Sequence, residues 1–169
     1  MDSVNMPPIL NIFSEHRHTN IELQDRLLLE QLYEIAEEAR RRDLYLLLEP
    51  VNRYETDYMN TLTHAAGIAE EAHHSHLGIS ADFFHMQIEE LNIQESINKA
   101  GKWIKHVHVA ENTRVEPGPG SLDFKPGFRA LKNVGYDKYI EIEARSLSGE
   151  AAVVLPKAIA YLKNLWAIS

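Results

Sequence analysis

The 169-residue sequence contains no cysteine. Disulfide bonds and zinc–thiolate sites are therefore excluded, and a cytoplasmic protein is the expectation. Long apolar runs are also missing. No stretch approaches the length of a membrane span, and the N-terminus lacks the basic start and apolar core of a secretory signal, so we expect no membrane partner.

Basic residues are scarce as well. Lysine and arginine together number 17, against 25 aspartates and glutamates, and the formal net charge is −8. Because nucleic-acid-binding proteins usually present a basic face to the phosphates, we expect no nucleic-acid partner. The chain is 44% hydrophobic and 25% charged, which is ordinary for a globular domain, and we predict a single domain over residues 1–169.

A short apolar run that ends on a carboxylate is the first candidate site. Residues 44–49 are too few for a helix and are followed at once by a polar loop, which predicts a buried parallel strand ending at Glu49. Burying a carboxylate there is costly unless a cation or hydrogen bonds compensate. Three later stretches repeat the pattern, with Asp82 ending LGISAD, His106 and His108 in WIKHVHV, and Glu141 and Glu143 in YIEIE. We therefore predict one shared site.

Helical patterns alternate with four predicted strands. The strands are expected at 44–49, 77–82, 103–110 and 139–143, and the helices at about 19–42, 60–72, 92–101, 125–133 and 150–167. Residues 1–18 contain Pro7-Pro8 and are predicted to be an irregular connection, 83–90 is predicted to be a loop, and Pro156 is expected to kink or restart the last helix. This alternation predicts an α/β fold whose parallel strands carry the chemistry at their carboxyl ends.

Four segments carry a family resemblance: EPVNRYETDYMN, ADFFHMQIEE, HVHVAENTRVEPGPGSLDF and GYDKYIEIEA. They resemble the sugar isomerase and epimerase family of xylose-isomerase-like TIM barrels, which includes the ketose 3-epimerases related to D-tagatose 3-epimerase. The likeness covers roughly residues 44–143. A complete barrel has eight strands and typically about 250 residues. The resemblance therefore implies an incomplete (β/α) TIM barrel of about four βα units, the C-terminal half.

The resemblance also implies the site residues. The family's metal ligands fall on Glu49, Asp82, His108 and Glu143, and its substrate-binding positions fall on Glu55, His85 and Arg114. In the implied mechanism Glu49 and Glu143 are the catalytic pair. One glutamate removes a proton next to the ketose carbonyl to give an enediolate, and the other returns a proton to the opposite face.

The implied ligands are three carboxylates and one imidazole, a donor set that favours Mn²⁺, with Mg²⁺, Co²⁺ or Fe²⁺ as alternatives. The implied function is divalent-metal-dependent epimerisation or isomerisation of a ketose or related 2-keto sugar. The alternatives are a hydroxypyruvate- or inosose-type isomerase or dehydratase, and a non-catalytic half-barrel that binds metal or a partner chain. Because a half-barrel leaves two sheet edges open, we expect a homo-oligomer or a complementing N-terminal half.

Three further polar features of the sequence are not assigned to the metal site. The cluster His73-His74-Ser75-His76 precedes a strand, lies at the end opposite the site, and is predicted to be a solvated loop. His106 is predicted to be a buried, hydrogen-bonded neighbour that lies one layer deeper than the ligands. Residues 146–149 follow the last strand, where a glycine-containing loop can cradle a phosphate.

Overall fold

The structure is a computed structural model that describes residues 21–169; the predicted connection over 1–18 and the predicted helix start at Thr19 and Asn20 lie outside the described residues. The helices of the described part are α1 (Ile21–Arg41), α2 (Leu62–Ala72), α3 (Phe83–Glu89), α4 (Ile93–Ala100), α5 (Lys125–Asn133) and α6 (Ala151–Ile168), with a 3₁₀ turn at Gly101–Trp103. The strands are β1 (Leu46–Leu48), β2 (Leu77–Asp82), β3 (Ile104–Val109) and β4 (Ile140–Ile142).

These four strands form one parallel sheet in the order β1-β2-β3-β4. In the register of the sheet, Leu48 lies opposite Ile79, Asp82 lies opposite His108, and Val109 lies opposite Ile142. Helical crossovers return the chain to the same end of the sheet each time, so the carboxyl ends of all four strands lie together at the opposite end. The predicted incomplete (β/α) barrel of four units is confirmed.

The core lies between this sheet and its helices. Strand β2 is buried along its whole length because it has neighbours on both sides. The rings of Phe83, Phe124 and Phe128 pack against one another between α3 and α5, with centroids 5.6 to 6.0 Å apart. A Cβ atom at Gly127 would lie 2.3 Å from Cε1 of Phe83, so this close approach of α5 requires glycine.

One local prediction is wrong. The predicted loop at 83–90 is mostly helix α3, which Asp82 caps by accepting a hydrogen bond from the Phe84 N–H at 2.8 Å. Seven residues are too few to show a helical period in the sequence. Helix α6 continues through Pro156 and does not restart there, although the proline lacks the N–H that would bond to the preceding turn.

Strands β1 and β4 are shorter than predicted, with three residues each, so that Glu49 and Glu143 lie one residue beyond the paired segments. The Glu143 N–H still donates to the Val109 carbonyl at 3.2 Å, which keeps it in line with β4. Within residues 21–169 both strands pair on one side only. Exposed apolar side chains lie next to these edges, namely Leu44, Tyr45 and Tyr139.

Helix α6 is the one helix of the described residues that is long and apolar enough to cross a membrane by length and composition. The prediction that no stretch approaches the length of a membrane span therefore does not hold for α6. One face of this helix packs on α5, where the Trp166 and Phe128 rings lie 5.5 Å apart. Its other face leaves Val153, Ile159 and Ile168 exposed. The apolar composition of α6 is thus only partly used in the described core.

The histidine cluster before β2 is not a simple solvated loop, and that prediction is wrong for His74. The His74 side chain is 6% exposed and its Nε2 lies 3.3 Å from a carboxylate oxygen of Glu37 on α1. Its Nδ1 accepts a hydrogen bond from the His76 N–H, and Tyr33 packs edge-on against the ring. The cluster fastens α1 to the amino end of the sheet, opposite the strand ends that carry the candidate ligands.

Candidate metal centre

Four side chains meet where the strands end. One oxygen or nitrogen ligand atom from each of Glu49, Asp82, His108 and Glu143 lies within 4.8 Å of the others. His108 occupies the middle, with Nδ1 at 2.9 Å from Oε1 of Glu49 and 3.8 Å from Oε2 of Glu143. The residues come from four different strand ends, as the sequence predicted. The structure therefore brings the whole predicted metal-ligand set together.

Asp82 is the most buried member of this group. It is 1% exposed; its Oδ1 caps α3, and its Oδ2 has no hydrogen-bond partner among the described residues. Ser80 Oγ on the same strand is also buried without a partner. Oδ2 lies 3.4 Å from Nε2 of His85 and 3.9 Å from Nη2 of Arg114, but neither group forms a hydrogen bond with it. A buried carboxylate oxygen without a hydrogen bond is costly, because it has lost its hydration. Oδ2 is thus the atom that a divalent cation would satisfy.

The pKa values of the group reflect its crowded negative charge. Burial, together with the charges of Glu49 and Glu143, raises the pKa of Asp82 to about 7. Burial lowers the pKa of His108, but its hydrogen bond to Glu49 and the charges of Glu49, Glu143 and Asp82 outweigh this and raise it overall. Burial likewise raises the pKa of Glu49, but the hydrogen bond to His108 and the positive charges of His108, His85 and Arg114 together outweigh it, so that the pKa is lowered overall. Without a metal, the imidazole of His108 and the guanidinium of Arg114 are the basic groups that face these carboxylates.

The donor set fits a hard divalent cation. Three carboxylates and one imidazole nitrogen converge within 4.8 Å of one another, so that oxygen ligands outnumber nitrogen ligands in the group. Mn²⁺ and Mg²⁺ prefer such oxygen-rich sites, whereas structural zinc sites in proteins rely mainly on cysteine and histidine. The residues present therefore fit the predicted ion, with Glu49, Asp82, His108 and Glu143 as its holders.

Arg114 lies beside the cluster and links several predicted residues. Its Nη2 donates to Oε2 of Glu143 at 2.9 Å and its Nη1 donates to Oε1 of Glu55 at 3.1 Å. The guanidinium also lies over the Phe84 ring, 4.5 Å from the centroid. The residue has a positive φ of 56°, an uncommon conformation for a non-glycine residue. Its side chain is 21% exposed and is held in place rather than solvated.

Two of the three predicted substrate-binding residues, Glu55 and Arg114, border an open pocket. Glu55, Phe84, Arg114 and Glu143 are among its lining residues, and its volume is about 680 Å³. His85 lies deeper, 2% exposed, with Nε2 at 3.4 Å from both Asp82 Oδ2 and Arg114 Nη1. The pocket thus opens directly next to the four-residue cluster, as a substrate pocket over a metal centre would.

Two buried glutamates that the sequence reasoning missed shape the loop that carries Arg114. Glu111 is 1% exposed and its two carboxylate oxygens accept from the N–H groups of Gly118 and Leu122, at 2.7 and 3.1 Å. Glu116 accepts from both the N–H and the hydroxyl of Ser148. The loop at 146–149, interpreted as a phosphate cradle, instead binds this internal carboxylate. The position of both glutamates in a turn-rich segment was the only signal in the sequence.

His106 is a hydrogen-bonded neighbour of the ligands, as predicted, but its side chain is 23% exposed and not buried. Its Nε2 lies 3.2 Å from Oε2 of Glu141 on β4, and its ring is 4.7 Å from that of His108. His106, His108 and Glu141 together form a second group with metal-ligand geometry. Glu141 is 64% exposed at the side chain, however, so this group lacks the buried carboxylate that distinguishes the first one.

This arrangement defines a class of protein: a parallel βα assembly of barrel type with an acidic, histidine-containing centre at the carboxyl ends of its strands. A profile of the xylose isomerase-like TIM barrel family matches residues 3–165. The chain belongs to this family.

Sugar epimerases are among its relatives. The chain is 34% identical over 141 residues to 3-dehydro-D-guloside 4-epimerase of Escherichia coli, an alignment that covers 83% of this chain and 54% of that protein. It is 37% identical over 133 residues to the ketose 3-epimerase of Arthrobacter globiformis, covering 79% of this chain and 46% of the relative. The chain thus spans about half the length of these relatives.

Two solved structures of epimerases share the fold of this chain. The crystal structure of 3-keto-D-glucoside 4-epimerase from E. coli superposes with a TM-score of 0.80 at 29% identity, over 97% of this chain and 60% of that chain. A structure of L-ribulose 3-epimerase gives a TM-score of 0.78 at 27% identity, over 83% of this chain and 53% of the other. The fold of the described residues is that of half a family barrel.

Proposed function

We propose that this chain carries the metal-binding and catalytic half of a divalent-metal-dependent sugar epimerase acting on a ketose or a related keto sugar. The observation that carries the proposal is the convergence of Glu49, Asp82, His108 and Glu143 around the unpartnered buried Oδ2 of Asp82. The epimerase names of the relatives support the reaction class. Their range of sugars leaves the individual substrate to experiment.

A bound divalent cation would act as a Lewis acid that makes the carbon next to a sugar carbonyl more acidic. Glu49 and Glu143 are the two carboxylates placed to move the proton. Glu49 has a lowered pKa and is therefore ionised at neutral pH, which is the state that a general base needs. Glu143 comes from the far strand of the sheet, so that the two carboxylates approach the site from different sides.

The remaining residues bind and orient the sugar. Arg114 reaches Glu143 and Glu55 together and borders the pocket, where its guanidinium can donate to sugar hydroxyls or to a developing oxyanion. His85 lies behind it with Nε2 directed toward the same space. Positioning by several fixed donors matters because proton transfer depends steeply on geometry.

The partner that completes the pocket is part of the proposal. The sheet edges at β1 and β4 are open within the described residues, and apolar side chains of α6 are exposed. An open edge and an apolar helix face favour association. We propose that a second copy of the chain, or an N-terminal half-barrel, covers them and excludes water from the site.

Solvent exchange tests the reaction. The purified chain is loaded with Mn²⁺, in the assembly that it forms, and incubated in D₂O with a panel of ketoses. Epimerisation through proton removal should place deuterium at the carbon that inverts. Glu49→Gln and Glu143→Gln should each abolish the exchange, since each removes one of the two proton carriers.

Glu141→Gln is the matched control, because Glu141 lies two residues before Glu143 on the same strand and contacts His106 instead. Exchange should persist in this variant. Epimerised product without deuterium would contradict the two-glutamate scheme. Metal binding with no exchange on any ketose would favour the alternative of a half-barrel that only binds metal.

A further inference from the structure

Asn52 lies in the loop after β1 and is 2% exposed. Its backbone N–H donates to Nδ1 of His85 at 3.1 Å, and its side-chain amide nitrogen lies 2.8 Å from the same Nδ1. The amide nitrogen also donates to Oε1 of Glu55 at 3.0 Å. One asparagine therefore contacts two of the predicted substrate-binding residues. Nothing in the metal cluster itself requires this contact.

The orientation of the Asn52 amide follows from its own loop. Oδ1 accepts a hydrogen bond from the Tyr54 N–H at 3.0 Å, and a backbone N–H can only donate. The oxygen must therefore face Tyr54, which leaves the amide NH₂ facing His85 and Glu55. A flipped amide would point its NH₂ group at the Tyr54 N–H, which is also a donor. It would also lose the hydrogen bond from the amide NH₂ to the Glu55 carboxylate.

The tautomer of His85 follows in turn. Two donors, the backbone N–H and the amide NH₂ of Asn52, point at Nδ1, so Nδ1 has to be the acceptor. In a neutral imidazole the proton then resides on Nε2.

The Nε2–H faces the candidate site. Nε2 lies 3.4 Å from Oδ2 of Asp82, with which it forms no hydrogen bond, and 3.4 Å from Nη1 of Arg114. The Nε2–H and the Arg114 Nη1–H are both hydrogen-bond donors, so they cannot satisfy each other. Two donors that converge on the same space are suited to one acceptor oxygen, as in an oxyanion hole. A hydroxyl lone pair, a carbonyl or an enolate oxygen of a sugar would fill this space.

We propose that Asn52 is a positioning residue that holds His85 in the Nε2-protonated tautomer, so that His85 and Arg114 together recognise a ligand oxygen that accepts hydrogen bonds. The identity of that oxygen as a sugar oxygen rests on the proposed function; the tautomer does not. Because outer-shell partners of this kind commonly change activity 10- to 100-fold, a decrease of about that size in kcat is expected when the tautomer is lost.

The test reads the tautomer directly. The chain is labelled with ¹⁵N-histidine and kept free of paramagnetic metal, and ring nitrogen shifts and ring-proton couplings are recorded at pH 8. The signals of His85 are identified by their loss in His85→Gln. The wild-type chain should show a protonated Nε2 and an unprotonated Nδ1. Protonated Nδ1 in the wild type would overturn the proposal without any variant.

Asn52→Asp then replaces the donor with an acceptor at nearly the same shape. The new carboxylate can still accept from the Tyr54 N–H, but it favours a proton on Nδ1 of His85, so the Nδ1 signal should move to the protonated position. Asn52→Ala retains the backbone N–H and should keep the wild-type tautomer. An unchanged tautomer in Asn52→Asp would count against the proposal.

Asn60→Asp is the matched control for loosening of the loop. The Asn60 amide donates to the carbonyls of Val51 and Thr56 in the same loop and does not contact His85. His85 should keep its Nε2 proton in this variant; a shift equal to that of Asn52→Asp would assign the effect to loop disorder and overturn the proposal. Wild-type chain with the expected tautomer but no epimerase activity would contradict the proposed function alone.

Discussion

Nδ1 of His108 lies 2.9 Å from Oε1 of Glu49, although the two residues are 59 positions apart and strand β2 separates their strands. The contact spans the end of β2, where Asp82 is buried. In the absence of metal, the imidazole balances the carboxylates that would otherwise repel one another. A divalent cation and the His108 proton therefore compete for the same centre.

Metal binding should depend on Glu143. We expect the chain to bind one Mn²⁺ per copy, and Glu143→Gln to weaken binding at least about tenfold because a charged ligand oxygen becomes a neutral amide. Elemental analysis after gel filtration and calorimetric titration measure stoichiometry and affinity. Glu141→Gln serves as the control and should bind normally. Equal affinity in the Glu143→Gln and wild-type chains would remove Glu143 from the ligand set.

Stability without metal should decrease as pH rises toward neutrality. An unfolded aspartate loses its proton near pH 4, at about its ordinary pKa, whereas Asp82 in the folded chain retains its proton up to about pH 7. Between these values the unfolded state binds fewer protons, so the free energy of unfolding falls. His108 acts in the same direction, since its pKa is raised and its contribution is lost as pH increases through the folded value.

Asp82→Asn should remove the Asp82 part of this pH dependence. Asparagine also caps helices, so α3 keeps its cap. In the presence of a chelator at pH 8, we expect the variant to be more stable than the wild type by roughly 1–3 kcal/mol, because no unpaired charge remains buried. Denaturant unfolding at pH 5 and pH 8 measures this. Asp123→Asn, at an exposed aspartate that accepts from the Lys125 N–H, is the control; an identical pH profile in wild type and Asp82→Asn would contradict the prediction.

A pair of glycine substitutions tests the Arg114 loop. A Cβ at Gly120 would lie 2.2 Å from Oε2 of the buried Glu111, so Gly120→Ala should displace that carboxylate and destabilise the chain by about 1–3 kcal/mol. Gly67 in α2 has no atom within 4 Å of its Cβ position, and Gly67→Ala should stabilise the chain by about 0.5–1 kcal/mol through helix propensity. Thermal unfolding compares the two. A Gly120→Ala chain as stable as the wild type would mean that Glu111 does not anchor the loop.

The chain should not be a stable, active monomer. We expect self-association, or binding of an N-terminal half-barrel, through the open strand edges and the exposed face of α6. Val153→Lys combined with Ile159→Lys should reduce association measured by light scattering with size exclusion. Leu91→Lys is the control, because Leu91 is equally apolar and fully exposed but belongs to the α3–α4 connection. A folded 19.3 kDa monomer with full ketose turnover would contradict the expectation.

The sequence by itself determined where the candidate ligands lie along the chain. Each candidate ligand lies at or near the end of a predicted strand, namely Glu49, Asp82, His108 and Glu143. Parallel strands joined by helical crossovers bring their carboxyl ends together at one end of the sheet. Strand period and crossover geometry are local or topological rules, so they can be read without coordinates. The same rules predicted four alternating βα units, whereas the half-barrel and the neighbouring Glu55, His85 and Arg114 were implied by the family motifs.

Only the tertiary structure decided how these residues are held. Asn52 reaches His85 across 33 positions and Glu116 reaches Ser148 across 32, and neither pair leaves a periodic pattern in the sequence. Helix α3 was missed because seven residues show no clear period, and its cap depends on the orientation of Asp82. His74 is buried next to Glu37, which lies on helix α1 and is distant in sequence. Contacts of this kind arise when packed elements place polar groups away from water, where each must find a partner.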